Sequence, residues 1–447
     1  MQLIYGVKDR PKFGQVIVFA LQQLLAILAA TIAVPTIIGN GMSQSAALFG
    51  AGVGTLVYLL FTKFRSPVFL GSSFAFLGSM GTAFAGAVSA AAGYAGLVIG
   101  AAFAGLVYVV IAIIVKLCGV AWIDKVMPAV VIGPTVAIIG LSLSGNAVGD
   151  LANGAVKVDN VSVASPYIAI ICGLVTLGVT IACSVYGKKF IKMIPFIIGI
   201  VAGYAVAAVF TVIGDIADID ALKVINFALF ENMEWIPEFT FIKAFEGFAD
   251  IDAAYIGTIA VAYVPVAFVV FAEHIADHKN LSTIIDHDLL SDPGLSNTLL
   301  GDGVGSMVGA FFGGCPNTTY GESVGCVAIS GNASVVTIVA TALLCLAAAF
   351  VAPFTTFLAT TPPCVMGGVC IALYGFIAVS GLKMIQTVDL GDNRNLFVVS
   401  VILIAGVGGL TVSFGPITVT SVACALILGI LVNLLVNVKK DKKENDK

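Results

Sequence analysis

Gly313-Gly314-Cys315-Pro316-Asn317-Thr318-Thr319-Tyr320-Gly321-Glu322 interrupts an apolar region with residues that suit no continuous helix. Two glycines and a proline open the stretch, Thr-Thr-Tyr favours extended backbone, and helical character returns only at Gly321. Pro67-Val68-Phe69-Leu70-Gly71-Ser72-Ser73-Phe74-Ala75-Phe76 reads the same way at the corresponding place in the first half of the chain. Extended backbone at membrane depth is tolerated only when it is buried in protein or lines a cavity. If the two pieces pair, each satisfies the other. The expectation is two short antiparallel strands, each followed by a half-helix whose N-terminus faces a common centre. The competing expectation is two ordinary kinked helices.

The surrounding sequence makes membrane depth the right setting. Of the 447 residues, 59% are hydrophobic and 10% charged, against about 25% charged in soluble domains. Mean hydropathy is +1.08, and apolar runs near the roughly 20 residues needed to span a bilayer recur almost end to end. A net charge of −4 argues against a nucleic-acid partner. Met1 to Lys12 is polar and lacks a cleavable signal pattern. The nine cysteines show no CxxC spacing; most, including Cys118, Cys172, Cys345 and Cys424, read as small buried hydrophobes. No cofactor is indicated. The only metal-site candidate is zinc at His274, His278 and His287, and no thiol stands at metal-site spacing from them.

Apolar spans predict an all-α polytopic membrane protein of 14 crossings. The first seven lie at 14–38, 44–62, 68–86, 92–116, 126–144, 164–186 and 190–214. The second seven lie at 253–278, 295–313, 314–332, 334–356, 364–382, 396–413 and 416–438, after an acidic stretch from Asp215 to Asp252. With a cytoplasmic N-terminus, eighteen of the 21 Lys and Arg residues fall inside, the tail's Lys439, Lys440, Lys442, Lys443 and Lys447 among them. Only Lys157, Lys223 and Lys243 fall outside. Both termini are therefore expected in the cytoplasm. Seven crossings per half make any repeat an inverted one, a plan frequent in transporters, with the site where broken helices meet.

Ionisable groups inside a membrane are expensive and mark function. Glu273 follows the apolar run Val261 to Ala272, and Asp277 stands four residues on, on the same helical face. A buried carboxylate there can bind N–H donors and take up a proton; the alternative for Asp277 is an interfacial charge at a helix end. Glu322 opens the second half-helix, where a carboxylate suits the helix dipole, and it can equally be a capping acid. Gly321 lets a ligand approach the backbone. Phe74, beside Ser73, offers either an aromatic face or core packing. His274 lies about 100° around the helix from Glu273 and is expected to face elsewhere. His278 and His287 are expected in a cytoplasmic loop. Asp302 has no evident basic partner and is expected to bond a neighbouring helix terminus. Gln22, Gln23 and Thr31 are polar groups of the first span, leaning toward the site or bonding between helices.

At these residues the chain resembles the nucleobase–ascorbate transporter family, specifically its bacterial uracil permeases. The resemblance covers nearly the whole chain. It rests most specifically on Pro316-Asn317-Thr318-Thr319-Tyr320-Gly321-Glu322. Leu21-Gln22-Gln23, Leu70-Gly71-Ser72-Ser73-Phe74-Ala75-Phe76, Ala272-Glu273-His274, Asp292-Pro293-Gly294-Leu295 and Leu373-Tyr374-Gly375 support it. It implies 14 helices in a 7+7 inverted repeat, divided into a core domain (1–125 and 253–360) and a gate domain (126–252 and 361–438), with a cytoplasmic tail (439–447). It also implies proton-coupled nucleobase uptake in the plasma membrane, with the core moving against the gate. Glu273 and Glu322 would accept ring N–H groups, and the backbone N–H groups of Phe74 and Gly321 would meet ring carbonyls. Phe74 would stack, and Ser73, Ala30, Tyr320 and Tyr374 would line the pocket.

The chain departs from the family pattern at Asp277, where the uracil branch often has His, at Gln23, where the family has His, and at Ser323, where Asn usually follows. Glu322 within Thr-Thr-Tyr-Gly favours uracil, while Asp277 and Asp302 keep xanthine or another purine open. The leading expectation is a uracil:H+ importer, with Glu273 or Asp277 taking the proton and a homodimer through the gate as an open possibility. An anion exchanger on the same plan would have to rely on helix dipoles alone, since the presumed site holds two acids and no Lys or Arg. No nucleophile–base pair or phosphate loop points to an enzyme.

Overall fold

The computed structural model describes residues 3–158, 161–188, 190–414 and 417–445. Lys189 and Lys447 of the charge map lie outside them. The first half runs through α1 (Phe13–Ile38), α2 (Gln44–Phe61), β1 (Leu70–Ser72), a 3-10 turn (Phe74–Phe76) leading into α3 (Leu77–Ala85), α4 (Ala90–Cys118), α5 (Ala121–Val126), α6 (Ala129–Ser142) and α7 (Ser144–Asp150). A two-stranded hairpin of β2 (Lys157–Val158) and β3 (Val161–Ser162) precedes α8 (Pro166–Tyr186), α9 (Phe190–Met193), α10 (Pro195–Ala217) and α11 (Thr240–Gly247). The second half holds α12 (Ala253–Ile285), α13 (Leu295–Gly313), β4 (Asn317–Thr319), α14 (Gly321–Ser330), α15 (Val335–Ala348), α16 (Ala352–Ala359), α17 (Pro363–Ile385) and α18 (Asn393–Val407). A second hairpin, β5 (Val412–Phe414) with β6 (Ile417–Val419), leads to α19 (Ser421–Asn445).

The chain is mostly helical, as its apolar runs require. Among the described residues, eight helices are long and apolar enough to cross a membrane: α1, α2, α4, α6 with α7, α8, α10, α12 and α17. The pair α15 and α16, bent by 84°, makes a ninth if counted as one span. Shorter apolar helices cover Phe74–Ala85, Asn393–Val407 and Ser421–Asn437. Of the 14 expected crossings, length and composition establish eight, or nine with the bent pair, among the described residues.

The two interrupted stretches do pair. β1 and β4 run antiparallel with Leu70 opposite Thr319, Gly71 opposite Thr318 and Ser72 opposite Asn317. The Ser73 N–H donates to Pro316 O at 2.9 Å and the Tyr320 N–H to Phe69 O at 3.1 Å, extending the ladder at both ends. All six strand residues are buried, so pairing removes the cost of bare backbone groups away from water.

Close helix packing holds this pair in place. α13 packs on α2 and α4, and α12 on α4. Gly50 and Gly54 of α2 face Gly305, Gly309 and Gly313 of α13, so the two backbones nearly touch. The Asn317 side chain fills what room remains: a Cβ on Gly309 or Gly54 would overlap its amide, and Nδ2 donates to Gly50 O at 3.0 Å. Elsewhere α17 packs on α6 and α8, and α8 on α10. At one end, Arg65 pairs with Asp292 at 2.5 Å, and the guanidinium beside it holds the Asp292 carboxyl below the usual carboxylate range.

Two expectations need correction. His278 is not in a loop but within α12, buried, because the helix runs to Ile285, beyond the apolar span that set its expected end at 278. His287 lies after the helix, exposed. Cys118, read as a buried hydrophobe, is exposed at the end of α4, whereas Cys172, Cys345 and Cys424 are buried; all nine cysteines are free thiols.

Candidate functional site

Two half-helices start at opposite ends of the strand pair. The Phe74 turn and α3 follow β1, and α14 follows β4, so the first N–H groups of each, at the positive end of its dipole, lie at the buried strand pair. The Tyr320 hydroxyl donates to Ser72 O at 2.8 Å and its ring lies over Gly71, where a Cβ would overlap it. Thr55 of α2 clamps β1 from the other side: it accepts from the Leu70 N–H at 2.9 Å and donates to Leu70 O at 3.1 Å.

Beside α14 lies a cavity of about 340 Å³ lined by Glu273 and Asp277 of α12 and by Gly321 and Glu322 of α14. The i, i+4 spacing places Glu273 and Asp277 on one face, as the sequence predicts, and that face meets the cavity. The Thr319 hydroxyl donates to Asp277 Oδ2 at 2.8 Å, tying β4 to α12. A Cβ on Gly321 would meet only Asp277 Oδ1, at 3.9 Å, so the helix start is open to a ligand. Gln23 of α1 donates to Ser323 Oγ, which also accepts the Phe69 N–H at 3.0 Å. Gln23 is thus an interhelical brace at the base of α14, and Ser323 is its partner. Thr31 is buried and donates to Ile27 O of its own helix at 2.9 Å.

The other proposed lining residues are not among those of this cavity wall. Ala30, Ser73, Phe74, Tyr320 and Tyr374 are all buried and absent from the cavity wall. Phe74 and Tyr374 instead pack edge to face, ring centroids 5.5 Å apart. The same cavity wall also holds Phe196 of α10, Phe376 of α17 and Lys192 of α9. The expectation of a site without Lys or Arg is therefore corrected. Lys192 entered the sequence reading only as one inside charge, and Phe196 and Phe376 are indistinguishable from other aromatics of apolar spans. No sequence signal marks them.

Asp302 bonds a side chain, not a helix terminus. His274 Nδ1 lies 2.6 Å from Asp302 Oδ2, and its Nε2 lies 3.0 Å from Thr298 Oγ1. His278 stacks on His274 at 4.0 Å and meets the Tyr58 hydroxyl at 2.7 Å, which donates to Ser66 Oγ at 2.7 Å. His274 thus faces away from the cavity, as its offset from Glu273 implies. The network braces α12 against α2 and α13, leaving Glu273 and Asp277 to the other face. Among the described residues no group of three or more His, Cys, Asp or Glu is placed to hold a metal ion.

Residues 14–415 match the model of the Permease family. The chain belongs to that family. It is 39% identical to the uracil permease of Bacillus caldolyticus over 99% of this chain and 96% of that one. It is 38% identical to the uracil permease of Bacillus subtilis over 98% and 96%. This permease is a transporter relative, not an enzyme, and the resemblance carried by Pro316 to Glu322 holds along nearly the full length. Its fold is similar to the transmembrane domain of a cyanobacterium bicarbonate transporter, with a TM-score of 0.66 at 17% identity over 97% of this chain and 99% of that one.

Proposed function

We propose that this permease imports a nucleobase, uracil first, together with a proton. The observation that carries the reading is the convergence of Glu273, Asp277 and Glu322 with the open helix start at Gly321 on one cavity. Uracil is a small neutral ring with N–H groups beside carbonyls. Glu273 and Glu322 accept the N–H groups and the backbone N–H at Gly321 meets a carbonyl; the Phe74 N–H, outside this cavity wall, joins only once the Phe74–Tyr374 contact has parted. Uracil permeases among the relatives support this choice of substrate. A positively charged helix start suits carbonyl oxygens, and three carboxylates disfavour an anion in the same space.

In this reading the chain crosses the inner membrane 14 times as a 7+7 inverted repeat with both termini in the cytoplasm. The residues of 1–125 and 253–360 form a core that carries the acids. Those of 126–252 and 361–438 form the gate against which the core slides, and through which two copies can associate. Lys192 and Met384 line the cavity from elements that the charge map places at the cytoplasmic side, so the arrangement corresponds to an inward-facing carrier. The Phe74–Tyr374 contact joins core to gate and parts when a base stacks on Phe74. Glu273 takes the coupling proton, with Asp277, held by Thr319, as the second acceptor.

Binding of uracil, xanthine, hypoxanthine and guanine to the purified protein at pH 6 and pH 8, followed by thermal shift, tests the substrate. Uracil stabilises the protein more than any purine, and its effect changes between the two pH values. Purine-selective stabilisation transfers the function to a purine symporter on the same scaffold, with Asp277 the first residue to test. Silence from every base removes the nucleobase reading.

A further inference from the structure

We propose that α11 is an interfacial helix that lays a row of phenylalanines in the outer leaflet of the bilayer. The inference rests on the topology proposed above, which puts the segment from Asp215 to Asp252 outside, and goes beyond it.

α11 has eight residues, Thr240 to Gly247, and at about 12 Å is too short to span a bilayer. At about 100° per residue it divides into three stripes. Thr240, Ala244 and Gly247 make the first, and all three are buried. This stripe packs on α4 and α13. A Cβ on Gly247 would overlap Ala91 O of α4, and the Thr240 hydroxyl stands against Gly314, just past α13.

Phe241 and Phe245 make the second stripe. Phe241 stacks on Phe311 of α13, ring centroids 4.9 Å apart, and Phe245 lies 6.2 Å from Phe241. Phe248, which opens the 3-10 turn Phe248–Asp250, continues the row at 6.0 Å from Phe245. The row is anchored on Phe311 and open beyond it: Phe245 is 62% exposed and Phe248 43%. Lys243 and Glu246 make the third stripe, about 150° round the helix from the phenylalanines. Lys243 pairs with Glu238 at 2.6 Å and donates to Gly41 O at 3.3 Å, and Glu246 is exposed.

A helix fastened to protein on one side, with rings on a second and charges opposite the rings, suits the boundary between acyl chains and headgroups. There the rings enter lipid and the charges meet water. The segment from Glu231 to Asp252 holds six acids and one lysine, so it has no attraction for anionic headgroups, and the apolar contact carries the binding. The open surface of a two-turn edge also falls short of the roughly 800 Å² per partner that a specific protein interface buries.

The test places a fluorescent probe on single thiols of the full-length protein, introduced as F245C, F248C and E246C. The background is C118S/C183S, whose remaining thiols are buried. Size exclusion and thermal midpoint establish folding, and since all three positions are exposed the packed interior is left alone. In phosphatidylcholine vesicles, doxyl-labelled phosphatidylcholine quenches the probes at 245 and 248 and iodide does not; at 246 the order is reversed. If one phenylalanine variant fails to fold, the other gives the same reading. Iodide quenching at 245 and 248 as strong as at 246 overturns the inference. So does shielding of both from both quenchers, which would mean that protein covers the row. A membrane-impermeant thiol reagent blocks E246C in intact cells; failure to do so in a protein whose phenylalanine probes meet lipid contradicts the topology, and uracil binding enters neither readout.

Discussion

Glu273→Gln abolishes pH-driven accumulation of uracil and weakens its binding by about 10- to 100-fold, the loss expected for one hydrogen bond to a charged acceptor. The amide matches the carboxyl in size, so packing along α12 is undisturbed, and the network of His274, Asp302, His278 and Tyr58 lies on the other face. The thermal midpoint therefore stays near that of wild type. What changes is chemical: an amide neither takes up a proton nor accepts two ring N–H bonds as a carboxylate does. Uptake by proteoliposomes under an inside-alkaline gradient, beside uracil binding by thermal shift, separates the two losses. A Glu273→Gln protein that accumulates uracil with the wild-type pH dependence would move the coupling role to Asp277.

Gly309→Ala lowers the thermal midpoint by several degrees and weakens base binding, although Gly309 is absent from the cavity wall. The added methyl overlaps the Asn317 amide at the crossing of α2 and α13. Asn317 either shifts and loses its bond to Gly50 O, or the two helices separate. Overpacking of this kind costs about 1–3 kcal/mol and the lost bond about 1 kcal/mol more. Because Asn317 belongs to β4, the disturbance reaches Thr319, Asp277 and Gly321. Gly178→Ala is the control: the same methyl on α8 meets nothing within 4 Å. Equal thermal midpoints for the two variants would show that the glycine contact does not hold the strand pair.

The parts of the site carried by local sequence were legible. Pro316, the Thr-Thr-Tyr run and Gly321 mark the extended piece and the helix start, and the four-residue spacing of Glu273 and Asp277 places both acids on one face. Contacts between distant parts of the chain were not. Asp302 finds His274 28 positions away, and the residue that gave His274 away, its neighbour Glu273, says only where the ring does not point. Asn317 reaches a carbonyl 267 positions away, through glycines whose purpose shows only when two helices are laid together. The length of α12 was misjudged because its last turns are polar, and polarity marks the end of an apolar span, not the end of a helix. Phe74 illustrates a different limit. Its place at a half-helix start was correctly read, but its ring packs on Tyr374, 300 residues on, and an aromatic side chain carries no sequence mark of the face it covers.

Accumulation of radiolabelled uracil by proteoliposomes holding the purified protein, under an imposed inside-alkaline pH gradient, addresses the central claim most directly. The account predicts accumulation above equilibrium that a protonophore collapses and that unlabelled uracil, not xanthine or bicarbonate, competes away. Uracil that merely equilibrates regardless of the gradient, or accumulation driven by xanthine or bicarbonate in its place, would contradict it.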